Sequence, residues 1–227
     1  IVNEVSREEY SIKLNGYDAM KRFDDIYEPE IVFNDETKFI DVLNDLLRQC
    51  NVVLAEIDLD EYENLIINHY YENISCKELL GYLAGLMGCN ARINRFGELE
   101  FYWYSNTNLI INEELIYQDS YQETLESEFV INSLTSGDEE HTYTCGSGNG
   151  ISFANPYMTQ ELLNKIFLKV NGFSYQPCTF KWRGNPSIEN SDVIKLVNKN
   201  IVIMKQTLML DGGFSSEIEC VGKLDND

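Results

Sequence analysis

The stretch CKELLGYLAGLMGCNARINRFGELEFYW, residues 76–103, changes from a helical pattern to a strand pattern and decides the fold of its region. In its first half, leucine and methionine side chains recur at three- and four-residue steps, which predicts a helix with one apolar face. Ser75 can cap this helix together with Glu78, as in a capping box. Gly88 can end it, because glycine adopts the left-handed conformation at little cost.

The second half of the stretch predicts a tight hairpin. Two short runs, residues 91–94 and 99–103, have strand character, and Gly97 between them suits a position of positive φ. The chain therefore passes directly from a buried helix to a hairpin. None of these residues is a candidate nucleophile, base or metal ligand, which favours a structural or binding role.

Composition excludes several classes of function. The chain has 227 residues, of which 44% are hydrophobic, so it can form a sizeable core. Its net charge of −21 repels phosphate backbones and anionic lipids, so we expect no contact with nucleic acid and no association with membranes. The charge either serves solubility alone or favours a partner with basic patches.

The six cysteines stand far apart and include no CxxC pair. They indicate neither a zinc site nor a disulfide framework, and we expect mostly buried thiols in a protein made in the cytoplasm. No run of the sequence reaches the ~18 apolar residues that a membrane helix needs.

The patterns predict the α+β class, with a small layer of helices and short strands followed by a β-barrel-like domain that contains one helix. The predicted domains are 1–17, which includes a strand at 9–17; 18–104, an α/β domain; 105–128, a linker or crossover; 129–222, the β-barrel-like domain; and 223–227, a tail. In the α/β domain we predict a short helix from Asp18 to Tyr27, a helix at 36–50 opened by Asn34 or Asp35, and a strand-like segment at 52–57.

The second half has the short, turn-separated runs of an all-β unit. Asn155 is predicted to cap its single helix, with Pro156 as the first residue, and Asn171 and Gly172 to end it. Seven strands and one helix predict a closed or nearly closed barrel that the helix plugs at one end. The predicted strands are 129–134, 141–145, 151–154, 178–182, 193–197, 201–210 and 214–221.

No motif in the sequence predicts chemistry, so we assign no catalytic, cofactor-binding or metal-binding residue and expect a protein that is not an enzyme. The run 145–150 is rich in glycine but lacks the lysine of a phosphate loop and is not followed by a helix, so we predict a tight hairpin turn there. His69 and His141 lack partners at ligand spacing. The acidic run 58–61 lacks the further oxygen ligands of a calcium loop.

Three consecutive aromatic residues, Tyr102, Trp103 and Tyr104, are the candidate interaction site. On an alternating strand, one face of this triplet points away from its own core. Two interpretations stay open: burial between the two domains, or an anchor cluster at a subunit interface, where tyrosine and tryptophan are enriched.

A resemblance to a known family is carried by the stretches 86–95, 97–100, 153–159, 182–189, 192–194 and 208–214. These stretches resemble the tail hub, or baseplate, proteins of tailed bacteriophages and prophages of Gram-positive bacteria, also called minor tail or tail-associated proteins. Ser191 departs from the glycine expected in one turn of that family. The resemblance also implies a preceding barrel, of which we expect residues 1–17, mainly 9–17, to be a strand remnant.

The resemblance implies a structural role in the virion tail, with no cofactor. In this family two related barrels per subunit assemble as a trimer into a pseudo-sixfold ring, which adapts the tail tube to a central spike or fibre. The implied partners are other tail or baseplate proteins. Two alternatives from the residues alone remain: a cell-wall-degrading hydrolase that uses paired carboxylates, and a carbohydrate-binding module that stacks sugars on Tyr102, Trp103 and Tyr104.

Overall fold

The computed structural model describes residues 2–8, 11–124, 127–210 and 213–222. Within these ranges the chain forms three α-helices, three short 3-10 helices and sixteen strands, so the predicted α+β class is confirmed. The chain divides into two compact units: Ile1–Tyr102 with Asn155–Tyr157, and Trp103–Ala154 with Met158–Asp227. Among the described residues, no helix is both long enough and apolar enough to cross a bilayer.

The chain begins with a two-stranded hairpin. Strand β1 (Val2–Glu8) pairs antiparallel with β2 (Ser11–Gly16). Of the predicted strand 9–17, Glu9 and Tyr10 lie outside the described residues, and most of the remainder is β2. The assignment of this segment to a preceding barrel stays a prediction, and the predicted tail at 223–227 lies outside the described residues.

Two α-helices organise the first unit, α1 (Phe39–Cys50) and α2 (Cys76–Met87). The predicted ends of α2 are confirmed. The Ser75 hydroxyl accepts a hydrogen bond from the Glu78 N–H at 3.1 Å, and Gly88 ends the helix with a φ of 66°. Local cap chemistry therefore sets both ends of this helix.

The helices on the N-terminal side of α2 are shorter than predicted. Asn34 does not open α1, because its side chain accepts a hydrogen bond from the Glu36 N–H at 2.8 Å in a separate turn. The helix begins after Lys38 instead. The predicted helix from Asp18 is only a 3-10 helix over Ala19–Asp24, although Asp18 caps it as expected.

The predicted hairpin after α2 is confirmed as β3 (Asn90–Ile93) and β4 (Leu99–Tyr102), with Gly97 at a φ of 83°. The predicted strand-like segment 52–57 was largely wrong, because only Leu54 pairs, in a single parallel bridge with Leu99. An apolar run without a continuous partner strand does not form a ladder.

A buried carboxylate lies in the core of the first unit. Asp45 is 2% exposed and accepts hydrogen bonds from the Tyr27 hydroxyl at 2.7 Å and from Arg48 at 2.5 Å. These donors satisfy the charge, so its burial is tolerated. Burial of the Tyr27 hydroxyl, together with this hydrogen bond, raises the pKa of Tyr27. Large side chains of the first unit that are fully buried include Phe23, Phe39, Leu43, Leu46, Ile67, Leu79, Leu83, Leu86 and Leu99.

The second unit consists of small sheets and one helix, α3 (Gln160–Val170). Its strands are β5 (Ser105–Ile111), β6 (Gln122–Glu123), β7 (Phe129–Val130), β8 (Ser133–Gly137), β9 (Thr142–Gly146), β10 (Gly150–Ala154), β11 (Ser174–Tyr175), β12 (Cys178–Trp182), β13 (Asp192–Leu196), β14 (Lys199–Val202), β15 (Lys205–Met209) and β16 (Ser215–Cys220).

The sheets of the second unit have the orders β15-β16-β12-β6, β14-β13-β5, β10-β8-β9 and β11-β7. None of these sheets closes on itself within the described residues, so barrel closure stays a prediction. β13 pairs parallel with β5 and antiparallel with β14. The core of the unit includes Phe180 and Ile194, which are 1% and 0% exposed.

Several strand predictions within the second unit were incomplete. The predicted single strand 129–134 contains β7 and the start of β8, which belong to different sheets. The segment 105–128, predicted as a linker or crossover, contains β5 and β6, because each pairs with a strand that is distant in sequence. The predicted single strand 201–210 is two strands. The Ile203 N–H donates to the backbone carbonyl of Asp192 on β13, and the Met204 N–H donates to the backbone carbonyl of Glu219 on β16. The chain therefore passes from one sheet to the other between Ile203 and Met204. The domain boundaries proposed from the sequence stay a prediction.

The start of the helix in the second half was predicted four residues too early. The Thr159 hydroxyl, not Asn155, caps α3 by accepting a hydrogen bond from the Leu162 N–H at 3.2 Å. The Asn155 side chain instead accepts a hydrogen bond from the Tyr157 N–H at 3.1 Å and donates to the Tyr82 oxygen at 2.8 Å, all within the first unit.

The glycine-rich run 145–150 is not the predicted hairpin turn. It joins β9 to β10, which lie on opposite sides of β8, one antiparallel and one parallel to it. The loop therefore passes close to the start of β8. A Cβ on Gly146 would lie 2.1 Å from the backbone carbonyl oxygen of Asn132, whereas a Cβ on Gly148 would have no neighbour nearer than 3.9 Å.

We predict that Gly146→Ala destabilises the second unit much more than Gly148→Ala. Both positions have positive φ, 75° and 98°, so each substitution costs about 1 kcal/mol in backbone strain. Only Gly146→Ala also forces a clash with backbone, which adds about 2 to 3 kcal/mol. Urea unfolding followed by tryptophan fluorescence measures the difference, since both tryptophans lie in this unit. Equal losses of unfolding free energy in the two variants would contradict the close approach of Gly146 to the backbone of Asn132.

The expectation of mostly buried thiols is confirmed, since five of the six free cysteines are buried and Cys89 is half-buried. Cys178 lies opposite Cys220 on β12 and β16. Burial raises the pKa of each of these two thiols to about 12. A thiol whose pKa is raised by folding stabilises the folded state while it is neutral and ceases to do so as the pH rises.

We predict that the free energy of unfolding falls between about pH 9, the ordinary pKa of these thiols, and about pH 12, their pKa in the fold. Each thiol contributes a slope of about 1.4 kcal/mol per pH unit in this window. The double variant Cys178→Ala/Cys220→Ala should show a shallower alkaline slope in urea titrations. The control Cys89→Ala should keep the full slope, and a double variant with an unchanged slope would refute the assignment.

Candidate interaction surfaces

An aromatic cluster lies at the beginning of the second unit. The Tyr104 ring stacks on Phe173, with ring centroids 5.3 Å apart and planes at 20°. Trp103 contacts both rings, at 4.7 Å from Tyr104 and 5.8 Å edge-on from Phe173. Trp103 and Tyr104 are only half-buried, so their rings are both ordered by contacts and accessible.

Backbone hydrogen bonds fix the position of Phe173, which the sequence analysis did not single out. The Phe173 N–H donates to the Val170 oxygen at the end of α3, and the Phe173 oxygen accepts from the Ile131 N–H at 3.0 Å. Gly172, at a φ of 81°, allows the turn between helix and aromatic residue. The sequence signal for Phe173 was an aromatic residue directly after a helix-ending glycine.

The three predicted interface residues are divided between the two units. Tyr102 ends β4 in the first unit, and the Arg92 guanidinium lies 4.9 Å from its ring centroid. Arg92 also pairs with Glu100 at 2.8 Å. Burial raises the pKa of Tyr102. The structure brings Trp103 and Tyr104 together but contains Tyr102 in a different unit, and the interface role of all three stays a prediction.

The second unit also contains a cleft of about 670 Å³. One wall is the segment around Tyr117 and Asp119, and the other is the turn between β13 and β14, with Val197 at its tip. The cleft was not predicted from the sequence, because the segment 105–128 was expected to be a linker or crossover. Tyr117 and Tyr121 were the available signal, as aromatic residues in a polar stretch.

The first wall of the cleft is anchored to β12. The Tyr117 N–H donates to the Lys181 oxygen at 2.8 Å. The Ser120 hydroxyl donates to the backbone carbonyl of Tyr117 at 2.7 Å and accepts from the backbone N–H of Lys181 at 3.1 Å. A serine side chain thus takes the place of a strand partner and fixes the turn in one conformation.

An ion pair spans the base of the cleft. The Lys199 ammonium on β14 lies 2.5 Å from a Glu123 carboxylate oxygen on β6, and the Tyr121 hydroxyl donates to that carboxylate at 2.8 Å. The hydrogen bond from Lys199 is the main cause of a lowered pKa of Glu123. Burial of the Tyr121 hydroxyl, helped by the bond to Glu123, raises the pKa of Tyr121. Around neutral pH the Glu123 carboxyl is therefore ionised, and the Tyr121 hydroxyl keeps the proton that it donates to this carboxylate.

Val197 is in a strained conformation at the rim of the cleft. It has a φ of 57°, a region that β-branched residues rarely adopt, and it occupies the two-residue connection between the paired residues Leu196 and Lys199. It is also 53% exposed, so burial does not compensate the strain.

The residues considered for chemistry from the sequence do not converge. Within the described residues, no group of three or more His, Cys, Asp or Glu side chains could hold a metal ion. His69 packs edge-on against Tyr71, with ring centroids 4.7 Å apart. His141 is exposed and lies 3.7 Å from Asp138, and the hydrogen bond from the His141 N–H lowers the pKa of that carboxyl. In the acidic run, Asp58 accepts a hydrogen bond from the Asp60 N–H.

Comparison with protein-family profiles gives no match, and comparison with curated protein sequences gives none either. Solved structures do match. The 43 kDa tail protein of prophage MuSo2 from Shewanella oneidensis has a TM-score of 0.64 at 14% identity, over 97% of this chain and 78% of that one. The tail protein from Neisseria meningitidis MC58 has a TM-score of 0.59 at 11% identity, with the same coverages.

A third solved structure, the prophage tail protein gp18 from Listeria monocytogenes EGD-e, has a TM-score of 0.58 at 12% identity, over 96% of this chain and 76% of that one. At these identities the likeness is one of fold. The chain therefore has a fold found in tail proteins from three bacterial sources.

We predict that Val197→Gly stabilises the second unit by about 1 kcal/mol, because glycine accepts positive φ without strain. The matched control is Val221→Gly, at an exposed position that follows β16 without positive φ, where the added freedom of the unfolded chain should destabilise by about 0.5 kcal/mol. Urea unfolding measures the change in unfolding free energy of each variant, which should be a gain for Val197→Gly and a loss for Val221→Gly. A loss of stability in Val197→Gly would show that the conformation is not strained.

Proposed function

We propose that the chain is a structural component of a phage or prophage tail, located in the hub or baseplate, where it adapts the tail tube to a central spike or fibre. The fold match carries the proposal, because three tail proteins share the architecture over 96–97% of this chain. The sequence resemblance to the tail hub family points to the same role independently of that match. In this proposal the protein is made in the bacterial cytoplasm of a Gram-positive host and functions in the virion tail.

The proposed mechanism is geometric, without a catalytic step. Compact units made of short paired strands change shape little and can present fixed surfaces to neighbouring tail proteins. Trp103 and Tyr104, held by Phe173, and Tyr102, held by Arg92, are the proposed interface residues. Half-buried aromatic rings of this kind supply contact area with little loss of conformational entropy.

We further propose that the protein functions as a homotrimer in the assembled tail. A closed ring forms when one surface of each subunit contacts a different surface of the next. Such a contact needs two distinct patches on each subunit, and the cluster of Trp103, Tyr104 and Phe173 would provide one of them. The proposal includes no nucleic acid, membrane or cofactor among the partners.

Immunogold labelling tests the location. Antibodies raised against the purified chain are applied to particles produced after prophage induction or infection of the source bacterium. The proposal predicts label at the end of the tail nearest the host and none on capsids. Label that is absent from purified tails, with the protein still present in the cell lysate, would contradict it.

We predict that Trp103→Ala lowers incorporation of the chain into tails by roughly thirtyfold, because truncating a central interface aromatic typically costs about 2 kcal/mol. The measurement is the amount of chain in purified tails when the variant complements a phage that lacks the gene. The matched control is Phe96→Ala, which removes an 82% exposed aromatic side chain from the β3–β4 turn. Equal incorporation of the two folded variants would exclude Trp103 from the interface.

A further inference from the structure

We propose that the cleft of the second unit is a docking site for a basic segment of another tail protein, in which an arginine or lysine is flanked by apolar residues. This inference rests on the proposed function and names the chemistry of one partner. It uses a surface distinct from the aromatic cluster around Trp103. Three observations carry it: the charge of the cleft, its fixed shape and the strain at its rim.

The charge of the cleft favours a cationic occupant. Three carboxylates, of Glu113, Asp119 and Glu123, line it together with one ammonium group, that of Lys199. Lys199 is already paired with Glu123 at 2.5 Å. The side chains of Glu113 and Asp119 make no ion pair with another described residue, so two of the carboxylates that line the cleft have no countercharge in that part of the chain. A guanidinium or ammonium group placed there would gain two charge-assisted hydrogen bonds.

The walls of the cleft favour apolar residues beside that cation. Tyr117 and Val197 are both exposed large hydrophobic residues, at 43% and 53%, and they lie on opposite walls. Successive side chains of an extended peptide point in opposite directions, so a segment that lies along the cleft can direct its charged residues to the wall with Glu113 and Asp119 and its apolar residues to the wall with Val197. A segment of alternating basic and apolar residues fits this arrangement, whereas a neutral sugar would leave the two carboxylates without a countercharge.

The cleft is formed before any partner arrives. Ser120 fixes one wall to β12 through hydrogen bonds with Lys181, and the Lys199–Glu123 pair fixes the base. A site that is already ordered loses little conformational entropy when it binds.

Two residues of the cleft have positive φ. Asp119 and Val197 have φ values of 60° and 57°, and they are two of the six non-glycine residues with positive φ in the described part of the chain. Both line the cleft, and of the two it is the β-branched Val197 that is strained in this conformation. Strained residues that are also exposed gain nothing from the core, and such residues cluster at binding sites. The two residues place a carboxylate on one wall and an apolar side chain on the other.

Fluorescence anisotropy tests the inference with the full chain and a short, fluorescein-labelled peptide of alternating leucine and arginine. We expect saturable binding at low salt that weakens as salt is added, because the attraction between exposed charges is screened. The cleft variant Glu113→Gln/Asp119→Asn should bind this peptide about tenfold more weakly, since two exposed ion pairs are worth roughly 1.4 kcal/mol together.

The control variant is Glu139→Gln/Glu140→Gln, which removes the same two charges from an exposed turn between β8 and β9. It should bind the peptide like the unmodified chain. A control peptide with glutamine in place of arginine should bind at least tenfold more weakly than the arginine peptide.

Four outcomes would overturn the docking site: no saturable binding at millimolar peptide, equal affinity for the two peptides, equal affinity of the cleft variant and the unmodified chain, or equal weakening in both variants, which would indicate attraction by net charge alone. Binding of neutral oligosaccharides that compete with the peptide would replace the peptide site with a carbohydrate site. Immunogold labelling tests the proposed location in the tail independently of the peptide assay. Labelled tails together with a failed peptide assay would therefore refute the docking site and leave the proposed function standing.

Discussion

The pairing of β12 on both of its edges is the constraint on which the second unit depends. β16 occupies one edge and β6 the other, and the residues Cys178, Phe180 and Trp182 of β12 are buried. The backbone that remains unpaired at Lys181 is satisfied by Tyr117 and Ser120. One central strand thus orders the sheet, the core beneath it and the wall of the cleft, which explains how a polar segment without a strong pattern of its own acquires a fixed conformation.

The elements that could be predicted from the sequence are those whose signals are local. Helix α2 has a serine cap, an apolar face and a terminal glycine within a few residues, and its ends were predicted correctly. The β3–β4 hairpin follows from Gly97 between two strand-like runs. In both cases each stabilising contact lies within a few positions along the chain, so the nearby residues are enough to predict the element.

The elements that could not be predicted depend on partners far away in the chain. β5 is polar at 105–108 and pairs in parallel with β13, more than eighty positions later, so no periodicity reveals it. The loop 145–150 has the composition of a hairpin turn, yet it crosses the start of β8 because β10 pairs on the other side. The cleft was missed for the same reason, since its two walls come from segments that are distant in sequence. Of the candidate site, the aromatic residues at 103 and 104 were predicted, while their partner Phe173 was not.

The low identity to the matched structures separates two kinds of information in this chain. A fold that persists at 11–14% identity is specified by which positions are apolar and where the chain turns, since few individual residues are shared. Partner recognition cannot be specified in that way, because it depends on particular side chains at the surface. The positions that carry it should therefore be ones where local stability and surface chemistry disagree. Val197 is such a position: glycine would suit the backbone better, and an exposed valine contributes little to the core. The proposed docking site would account for this valine by a contact with a partner, just as the proposed interface would account for Trp103, a half-buried residue held by Tyr104 and Phe173.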